Sequence, residues 1–364
     1  MSLNFYTLTS KGCLLYTKKW VKSFLQASLV IIFSVSAINY TINPYNVFGH
    51  ELDQLFSKKN NVLSDRMSKF YAVNRLNPKT IMMGTSRIGV LPSSQLDPYL
   101  EGPIYNLSMA GSTIDEQAAY IRYMVSHHKI KNVVWSLDFF AFNPTKPIDP
   151  TFDPDRLTKD FYGNDYFISL FSFKTLYRSF KTLKNNLYED NQKDDTKGQP
   201  FTRQQVVFNI HYTLDEYKTE KTFLFSEPFK IPSSIDPKID IVRQTLELCR
   251  EHNVSCFLYT SPVYHQHIDM IYSIGLGKTF ESWKKSLADI QPYTDFCTYS
   301  TLSNEMMMFR DSSHVISDVG EVIFARIFNL QKNIHPTDFG FTVTPQNIDQ
   351  HLEQERKLRH DISI

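Results

Sequence analysis

The sequence predicts a mixed α/β protein in which helices cover both faces of a parallel sheet and a membrane helix precedes that sheet. Two observations carry this prediction. Short apolar runs alternate with segments of helical periodicity between residues 79 and 334, and such alternation is typical of βαβ units. The segment from Ser23 to Gly49 contains no charged residue, and about 20 apolar residues suffice to cross a bilayer as a helix.

The charge-free segment predicts a membrane anchor at residues 23–43, with residues 1–22 in the cytoplasm. Four lysines precede the anchor with no acidic residue among them: Lys11, Lys18, Lys19 and Lys22. Such a basic flank remains on the cytoplasmic side of a membrane helix. Asn43-Pro44 is predicted to end the helix at the far interface. We therefore expect a single-pass protein whose remaining chain lies on the periplasmic or cell-surface side.

A cleaved signal peptide is the alternative for the same segment. Val35-Ser36-Ala37 provides the small residues that signal peptidases accept, although the basic leader is long for such a peptide. Both interpretations export the rest of the chain. The asymmetric lysines argue against a third interpretation, a buried helix of a soluble core.

Residues 44–78 are predicted to form an amphipathic juxtamembrane stalk, followed by an α/β domain at residues 79–334 and a charged tail at residues 335–364. The predicted strands are 80–83, 104–107, 132–137 and 255–260. The predicted helices are 115–126, 239–252, 278–290 and 318–330. For the tail we expect a peripheral or mobile helix, because it mostly lacks an apolar stripe.

The alternation breaks at residues 144–237, which predicts an aromatic-rich insertion. Residues 166–187 are expected to form one helix, and a polar loop follows at residues 189–200. The helix would carry one stripe of apolar side chains: Phe173, Leu176, Tyr177, Phe180, Leu183 and Leu187. Insertions at the carboxyl end of a central strand often cover the site of an open α/β sheet. We expect the stripe to build a small local core; the alternative is a groove for a ligand, and a cap can serve both purposes.

The composition excludes some partners. The chain has 39 basic and 38 acidic residues, so no net charge favours nucleic acid, and no nucleic-acid partner is predicted. None of the cysteines lies in a CxxC pair, which argues against a zinc site or a redox motif; they are Cys13, Cys249, Cys256 and Cys297. The last three are expected to be buried thiols, with a disulfide among them as the alternative.

Two segments supply the parts of a serine nucleophile site. A serine hydroxyl becomes reactive when an imidazole removes its proton and a carboxylate fixes the tautomer of that imidazole. Ser86 follows a predicted strand and the glycine turn at Gly84. Asp311 and His314 lie on one loop just before the last predicted helix, with a spacing that lets the carboxylate reach the ring. The sequence therefore predicts a catalytic triad of these three side chains.

The same segments resemble those of SGNH (GDSL-like) hydrolases. Gly84-Thr85-Ser86 resembles the Gly-Asp-Ser block, Asn106 to Gly111 resembles the second block, and Asp311 to His314 resembles the Asp-x-x-His block. The resemblance implies a three-layer αβα, flavodoxin-like fold and no cofactor. It also implies that Ser86 is the nucleophile, that His314 is the general base and acid, and that the backbone amides of Ser86 and Gly111 bind the oxyanion.

One block departs from the family pattern. The family usually has Gly-x-Asn-Asp after the next strand, with the asparagine as a further oxyanion donor, whereas this chain has Asp138 there. An ionised carboxylate cannot donate, so Asp138 is expected to hold a loop or Arg87, or Asn143 is expected to replace the missing donor. For Arg87 itself two interpretations stay open, which are binding of a carboxylate or phosphate on the substrate and a structural salt bridge.

The resemblance extends to membrane-attached relatives, namely the D-alanyl transfer protein of teichoic acids and proteins that O-acetylate exported polysaccharides. We therefore expect a serine acyl-esterase or O-acyltransferase for a glycan or other acyl-ester substrate, with a membrane acyltransferase as a candidate partner. The alternatives are a catalytically inactive scaffold for envelope polysaccharide assembly, which the change at Asp138 would favour, and a lipid esterase. No metal is predicted, because His265 and His267 lack a third ligand in the sequence.

Overall fold

The computed structural model describes residues 5–57, 65–158, 162–188, 202–219, 226–328 and 336–362. The chain divides into two compact units, one of residues 1–72 with 160–189 and the other of residues 73–159 with 190–364. We call them the anchor unit and the sheet unit. The helices are α1 (Phe5–Ile42), α2 (Asp65–Leu76), α3 (Ser86–Gly89), α4 (Ile114–His127), α5 (Asp155–Thr158), α6 (Gly163–Phe171), α7 (Phe173–Tyr188), α8 (Arg203–Thr219), α9 (Asp236–Glu251), α10 (His265–Ser273), α11 (Gly277–Ile290), α12 (Thr301–Asn304), α13 (Val319–Phe328) and α14 (Ile348–Ile362).

The sheet unit contains one sheet of six described strands. The strands are β1 (Thr80–Met83), β2 (Ile104–Asn106), β3 (Asn132–Leu137), β4 (Ser255–Thr260), β5 (Tyr293–Asp295) and β6 (Phe341–Val343). Their order is β2-β1-β3-β4-β5-β6, with the first five parallel and β6 antiparallel to β5. From β1 the chain first adds β2 on one side and then β3 on the other, so the order in which strands are added reverses at the parallel pair β1 and β3. Ligands of doubly wound sheets bind at such a point.

The prediction of a mixed α/β fold with a mostly parallel sheet is confirmed. Strands β1, β3 and β4 have the predicted bounds. Such strands are buried on both faces and appear in a sequence as short continuous apolar runs, and all four residues of β1 are buried.

The C-terminal tail contains the helix α14, as one interpretation expected. It differs from the prediction in also contributing strand β6 to the sheet. A buried charge cluster attaches α14: Lys284 Nζ on α11 lies 2.7 Å from Asp295 Oδ2 and 2.6 Å from Glu355 Oε1. His351 Nε2 lies 2.9 Å from the same carboxylate of Asp295. Burial alone would lower the pKa of Lys284, but the two carboxylates outweigh burial and raise it. Because charged residues make these contacts, the sequence has no apolar stripe from which they could be predicted.

The N-terminal helix is longer than predicted. It runs from Phe5 to Ile42, and its part from Thr17 to Ile42 is long and apolar enough to cross a membrane. It ends where predicted, because Asn43 adopts a left-handed backbone conformation with φ of 47° and Pro44 cannot continue a helix. The prediction of one membrane-length apolar helix is thereby confirmed by length and composition.

The predicted helix 166–187 is two helices, α6 and α7, which meet at Ser172. Its apolar stripe does not build a local core, and this prediction was wrong. The side chains of Phe173, Tyr177 and Phe180 are 69%, 55% and 54% exposed. The buried positions of α7 are instead Thr175, Ser179 and Thr182. The predicted polar loop at residues 189–200 lies outside the described residues.

Candidate active site

A glycine turn connects β1 to the short helix that begins with Ser86. Gly84 has φ of 153°, and a β carbon at this position would lie 2.9 Å from the backbone oxygen of Ser136. Only glycine fits such a conformation and such a close approach. The second motif meets the same turn, because the Met109 amide donates to the Gly84 carbonyl at 2.9 Å. The turn leaves Ser86 half-buried and open to solvent.

Asp138 holds the turn from the neighbouring strand end. Its carboxylate accepts a hydrogen bond from Thr85 Oγ1 and lies 3.4 Å from Nη1 of Arg87. Arg87 is only 6% exposed, and its guanidinium also lies over the ring of Phe140 at 4.9 Å. Of the interpretations left open for these residues, the geometry favours Asp138 holding Arg87 in a structural salt bridge.

The loop after Phe309 carries Asp311 and His314. An isolated bridge between Phe309 and Val315 closes the loop, and the Arg310 amide donates to the His314 carbonyl at 2.8 Å. The Asp311 carboxylate accepts from the backbone amides of Ser313 at 2.7 Å and of His314 at 2.9 Å. These contacts fix the carboxylate beside the imidazole.

The imidazole of His314 bridges the serine and the carboxylate. Its Nε2 lies 2.8 Å from Ser86 Oγ, and its Nδ1 lies 2.9 Å from Asp311 Oδ2 and 3.0 Å from Oδ1. An ionised carboxylate only accepts hydrogen bonds, so the proton of the neutral ring belongs on Nδ1. Nε2 is then free to accept the hydroxyl proton of Ser86.

The charge state of Asp311 supports this tautomer. Burial alone would raise the pKa of Asp311, but the hydrogen bond and charge of His314, with the two backbone donors, lower it to about 2. The carboxylate therefore stays ionised at neutral pH, and in this position it would stabilise a protonated His314 ring.

A second histidine connects the same two loops. His267 on α10 lies with Nε2 3.2 Å from Arg87 Nη2 and with Nδ1 3.2 Å from Ser312 Oγ. Arg87 follows Ser86 and Ser312 follows Asp311, so His267 makes a second connection between the two loops that His314 connects. Because arginine only donates, Nε2 of His267 must accept and Nδ1 must carry the proton.

Burial and the adjacent charge of Arg87 lower the pKa of His267 well below its ordinary value. The ring is therefore neutral at physiological pH. Burial would lower the pKa of Arg87 as well, but the charge of Asp138 together with the contributions of Tyr217 and Cys297 outweighs burial and raises it.

Part of the predicted insertion contacts this site. On α8, Asn209 Nδ2 donates to the Arg310 carbonyl at 3.1 Å, next to Asp311. The ring of Tyr217, near the end of α8, packs edge-on against His267 at 4.7 Å between centroids. Helix α8 therefore contacts the loop that carries Asp311 and His314.

The predicted oxyanion residues lie on two loops. Gly111 has φ of 60°, and a β carbon at this position would lie 3.9 Å from Lys146 Nζ. The same ammonium lies 4.5 Å from the centre of the Phe140 ring. Asn143 is buried, and its side-chain oxygen accepts from the Thr145 amide at 2.9 Å. A lysine charge thus stands beside Gly111.

A metal-like cluster lies elsewhere in the sheet unit. The ligand atoms of Asp295, His351 and Glu355 lie within 4.8 Å of one another. The Lys284 ammonium contacts both carboxylates, so the cluster already holds a positive charge. Cys249, Cys256 and Cys297 are free thiols. Cys249 and Cys297 are buried as the favoured interpretation expected, whereas Cys256 is only partly buried.

The structure brings together Ser86, His314 and Asp311. Arg87 and Asp138 are buried beside this site and contact each other. Sequence reasoning missed the roles of His267 and Ser312, because only tertiary contacts give a lone histidine a partner. It also missed the place of Lys146, which no local motif marks.

No model of a known protein family matches the chain, and no curated protein matches it.

Proposed function

We propose that this chain is a membrane-anchored, extracytoplasmic serine acyl-esterase or O-acyltransferase of the SGNH (GDSL-like) type, which acts on an exported or cell-envelope glycan. One observation carries the proposal: Nε2 of His314 lies 2.8 Å from Ser86 Oγ while Nδ1 contacts both oxygens of Asp311. This is the arrangement that activates a serine nucleophile.

The reaction would proceed in two steps. Ser86 Oγ attacks the acyl carbonyl while its proton moves to Nε2 of His314, and the carbonyl electrons move to oxygen. The tetrahedral intermediate collapses, and the ester C–O bond breaks as Nε2 returns the proton to the leaving alkoxide. Water or a sugar hydroxyl then gives its proton to Nε2 and attacks the acyl-Ser86 ester. The bond between the acyl carbon and Ser86 Oγ breaks as Nε2 returns the proton to Oγ, which releases the acid or the new ester.

Stabilisation of the oxyanion is assigned to the backbone amides of Ser86 and Gly111. The hydrogen bond between the Met109 amide and Gly84, which draws the second motif against the nucleophile turn, supports this assignment. Lys146 lies beside Gly111. Its positive charge would stabilise a developing negative charge, which is the task that the asparagine of the family block usually has.

Membrane anchoring favours a substrate held near the bilayer. Helix α1 has the length to cross it, and the lysine flank predicts that the sheet unit lies outside the cytoplasm. A polymer that is modified as it leaves the cell meets an enzyme tethered in this way, which is why we assign a glycan rather than a soluble small ester.

The test is acyl transfer by the full chain in detergent or nanodiscs. Wild type is expected to hydrolyse p-nitrophenyl acetate and to transfer acetyl groups to or from an acetylated glycan, and Ser86→Ala to do neither. Ser94→Ala is the matched control, because Ser94 is exposed and outside the triad. Equal turnover by wild type and Ser86→Ala would remove the nucleophile, and no turnover by wild type would favour the inactive scaffold.

A further inference from the structure

Helix α7 in the anchor unit exposes its aromatic side chains on the protein surface and buries its small polar side chains in the protein. Thr175, Ser179 and Thr182 are buried, whereas Phe173, Tyr177 and Phe180 are more than half exposed. A helix that faces water has the opposite arrangement. Large exposed apolar surfaces on soluble proteins mark interaction sites.

The neighbouring helix α6 continues the apolar surface. Its exposed side chains are Phe167, Ile168 and Phe171, while Asp165 and Ser169 are buried. We call the exposed aromatic and aliphatic side chains of α6 and α7 the hairpin face. It consists of Phe167, Ile168, Phe171, Phe173, Tyr177, Phe180, Leu187 and Tyr188.

One asparagine fastens the hairpin to the N-terminal helix. Asn39 is fully buried, and its Nδ2 donates to the carbonyls of Leu170 at 2.9 Å and of Ser172 at 3.3 Å, where α6 gives way to α7. Its Oδ1 accepts from Ser179 Oγ at 3.0 Å. Small residues and side-chain hydrogen bonds are the means by which helices associate in membranes.

The depth of this contact matches the membrane interface. The buried face of α1 comprises Val35, Asn39 and Ile42; at a rise of about 1.5 Å per residue it covers the last ~10 Å of the helix. The span Thr17–Ile42 is about 39 Å long, so its outer end reaches the headgroup region of a bilayer with a hydrocarbon core of about 30 Å. Interfacial helices insert their apolar faces about 5–10 Å deep.

The charges of α7 fit the same environment. The helix carries four basic residues and no acidic one, namely Lys174, Arg178, Lys181 and Lys184. The ammonium of Lys181 lies 5.1 Å from the centre of the Tyr177 ring. Basic side chains beside a band of aromatic rings are typical of helices that lie on anionic lipid.

We propose that the hairpin face lies in the outer interface of the membrane that α1 crosses, with its aromatic side chains among the acyl chains and its basic side chains on anionic headgroups. The inference depends on the membrane anchor of the proposed function and is independent of the chemistry at Ser86. It gives the chain a second membrane contact besides the spanning helix.

Photochemical labelling of the full chain tests this proposal. The protein is reconstituted in phosphatidylcholine nanodiscs that contain a phospholipid with a diazirine on its acyl chain, and adducts are mapped by peptide mass spectrometry. Adducts are expected on α1 and on the hairpin face. Phe208 and Tyr212 of α8 are equally exposed and serve as the control within the chain, with no adducts expected.

Three outcomes would overturn the proposal: adducts on α1 alone, equal adducts on α7 and α8, or no adducts on α1. The first leaves the anchor intact and points to a protein partner for the hairpin face. The last removes the anchor, and with it that part of the proposed function. Ser86→Ala is expected to label like wild type, so failure of the chemistry is seen separately in the turnover assay.

The contribution of the basic side chains of α7 is tested with anionic lipid and charge-reversal variants. Replacing part of the phosphatidylcholine with phosphatidylglycerol is expected to raise the adduct yield on α7 relative to α1, because each basic residue near an anionic surface strengthens partition by about fivefold. Lys181→Glu with Lys184→Glu is expected to abolish this rise, whereas Lys278→Glu on α11 is not. A rise that persists in the double variant would contradict the role given to the basic side chains.

Discussion

Helix α7 of the anchor unit and the strands of the sheet unit bury opposite kinds of side chain. Strand β1 buries Ile81, Met82 and Met83 completely, whereas α7 buries threonine and serine and exposes phenylalanine and tyrosine. Water drives apolar side chains inward, but between helices in lipid the attraction comes from close packing and hydrogen bonds. This difference is the one expected if the anchor unit lies against lipid, as we propose, and the sheet unit lies in water.

The largest expected effect is at the catalytic edge of the sheet unit. Asp311→Asn is expected to lower kcat about 10⁴-fold, because an amide beside Nδ1 favours the wrong tautomer of His314. The measurement is p-nitrophenyl acetate hydrolysis by the full chain. Asp318→Asn is the control, since Asp318 is exposed and lies outside the triad. An Asp311→Asn variant that kept a tenth of the activity would contradict the assigned role.

The buried charges of the sheet unit give the next largest effect. Lys284→Met leaves the carboxylates of Asp295 and Glu355 buried without their cation, which costs about 3–5 kcal/mol of unfolding free energy. Urea unfolding of the full chain in detergent measures it. Lys285→Met is the control: that side chain is 46% exposed in its ion pair with Asp349, and exposed pairs contribute about 0–1 kcal/mol. Equal losses in the two variants would show that burial does not set the cost.

Truncation of a phenylalanine to alanine is expected to change the unfolding free energy by different amounts in the two units. Phe142→Ala removes a fully buried ring of the sheet unit that packs against Trp283, and a loss of about 3–5 kcal/mol is expected. Phe180→Ala in the hairpin face is expected to change the unfolding free energy by about 0.5 kcal/mol or less. Both are measured by denaturant unfolding in detergent. Similar losses would mean that Phe180 is part of a protein core.

The contact through His267 is expected to matter less than the triad. His267→Leu removes the link between Arg87 and Ser312, and misplacement of a catalytic loop by about 1 Å can cost about 10²-fold in rate. The loss should fall on kcat and leave KM unchanged. His267→Gln offers one acceptor and one donor and should recover most of the rate. Equal rates for both variants would show that His267 acts only through packing and that its hydrogen bonds do not position the loops.

The smallest expected effect is on the pH dependence of stability. Because the pKa of His267 is lowered in the folded protein, the unfolded chain binds a proton below about pH 6.5 that the folded chain does not bind. Stability should therefore fall as the pH falls from 7 to 5, by up to about 1.4 kcal/mol per pH unit from this residue. In His267→Gln this part of the slope should vanish. An unchanged slope would contradict a neutral, buried ring.

The sequence could predict the features that local patterns carry. Strands β1, β3 and β4 are apolar runs with sharp ends, and Ser86, Asp311 and His314 belong to short motifs with fixed spacing. Strands β5 and β6 were missed because each is short and has a polar threonine at its centre, Thr294 or Thr342, so neither appears as an apolar run. A helix in the tail was expected, but its attachment to the sheet unit was missed, because ion pairs rather than an apolar stripe attach α14.

The orientation of α7 illustrates a second limit. An amphipathic pattern fixes which residues share a face, but it does not say whether that face meets protein, water or lipid. The role of His267 was hidden for a related reason, since Arg87 and Ser312 are 180 and 45 residues away from it. Both features depend on contacts distant in the chain.

Covalent labelling of Ser86 tests the proposed chemistry most directly. The full chain is treated with a fluorophosphonate, which modifies serines that an adjacent base activates, and the adduct is located by peptide mass spectrometry. A single adduct on Ser86 is expected, lost in His314→Ala as well as in Ser86→Ala. An unlabelled wild type, or labelling that survives in His314→Ala at the same rate, would contradict an activated serine at this position.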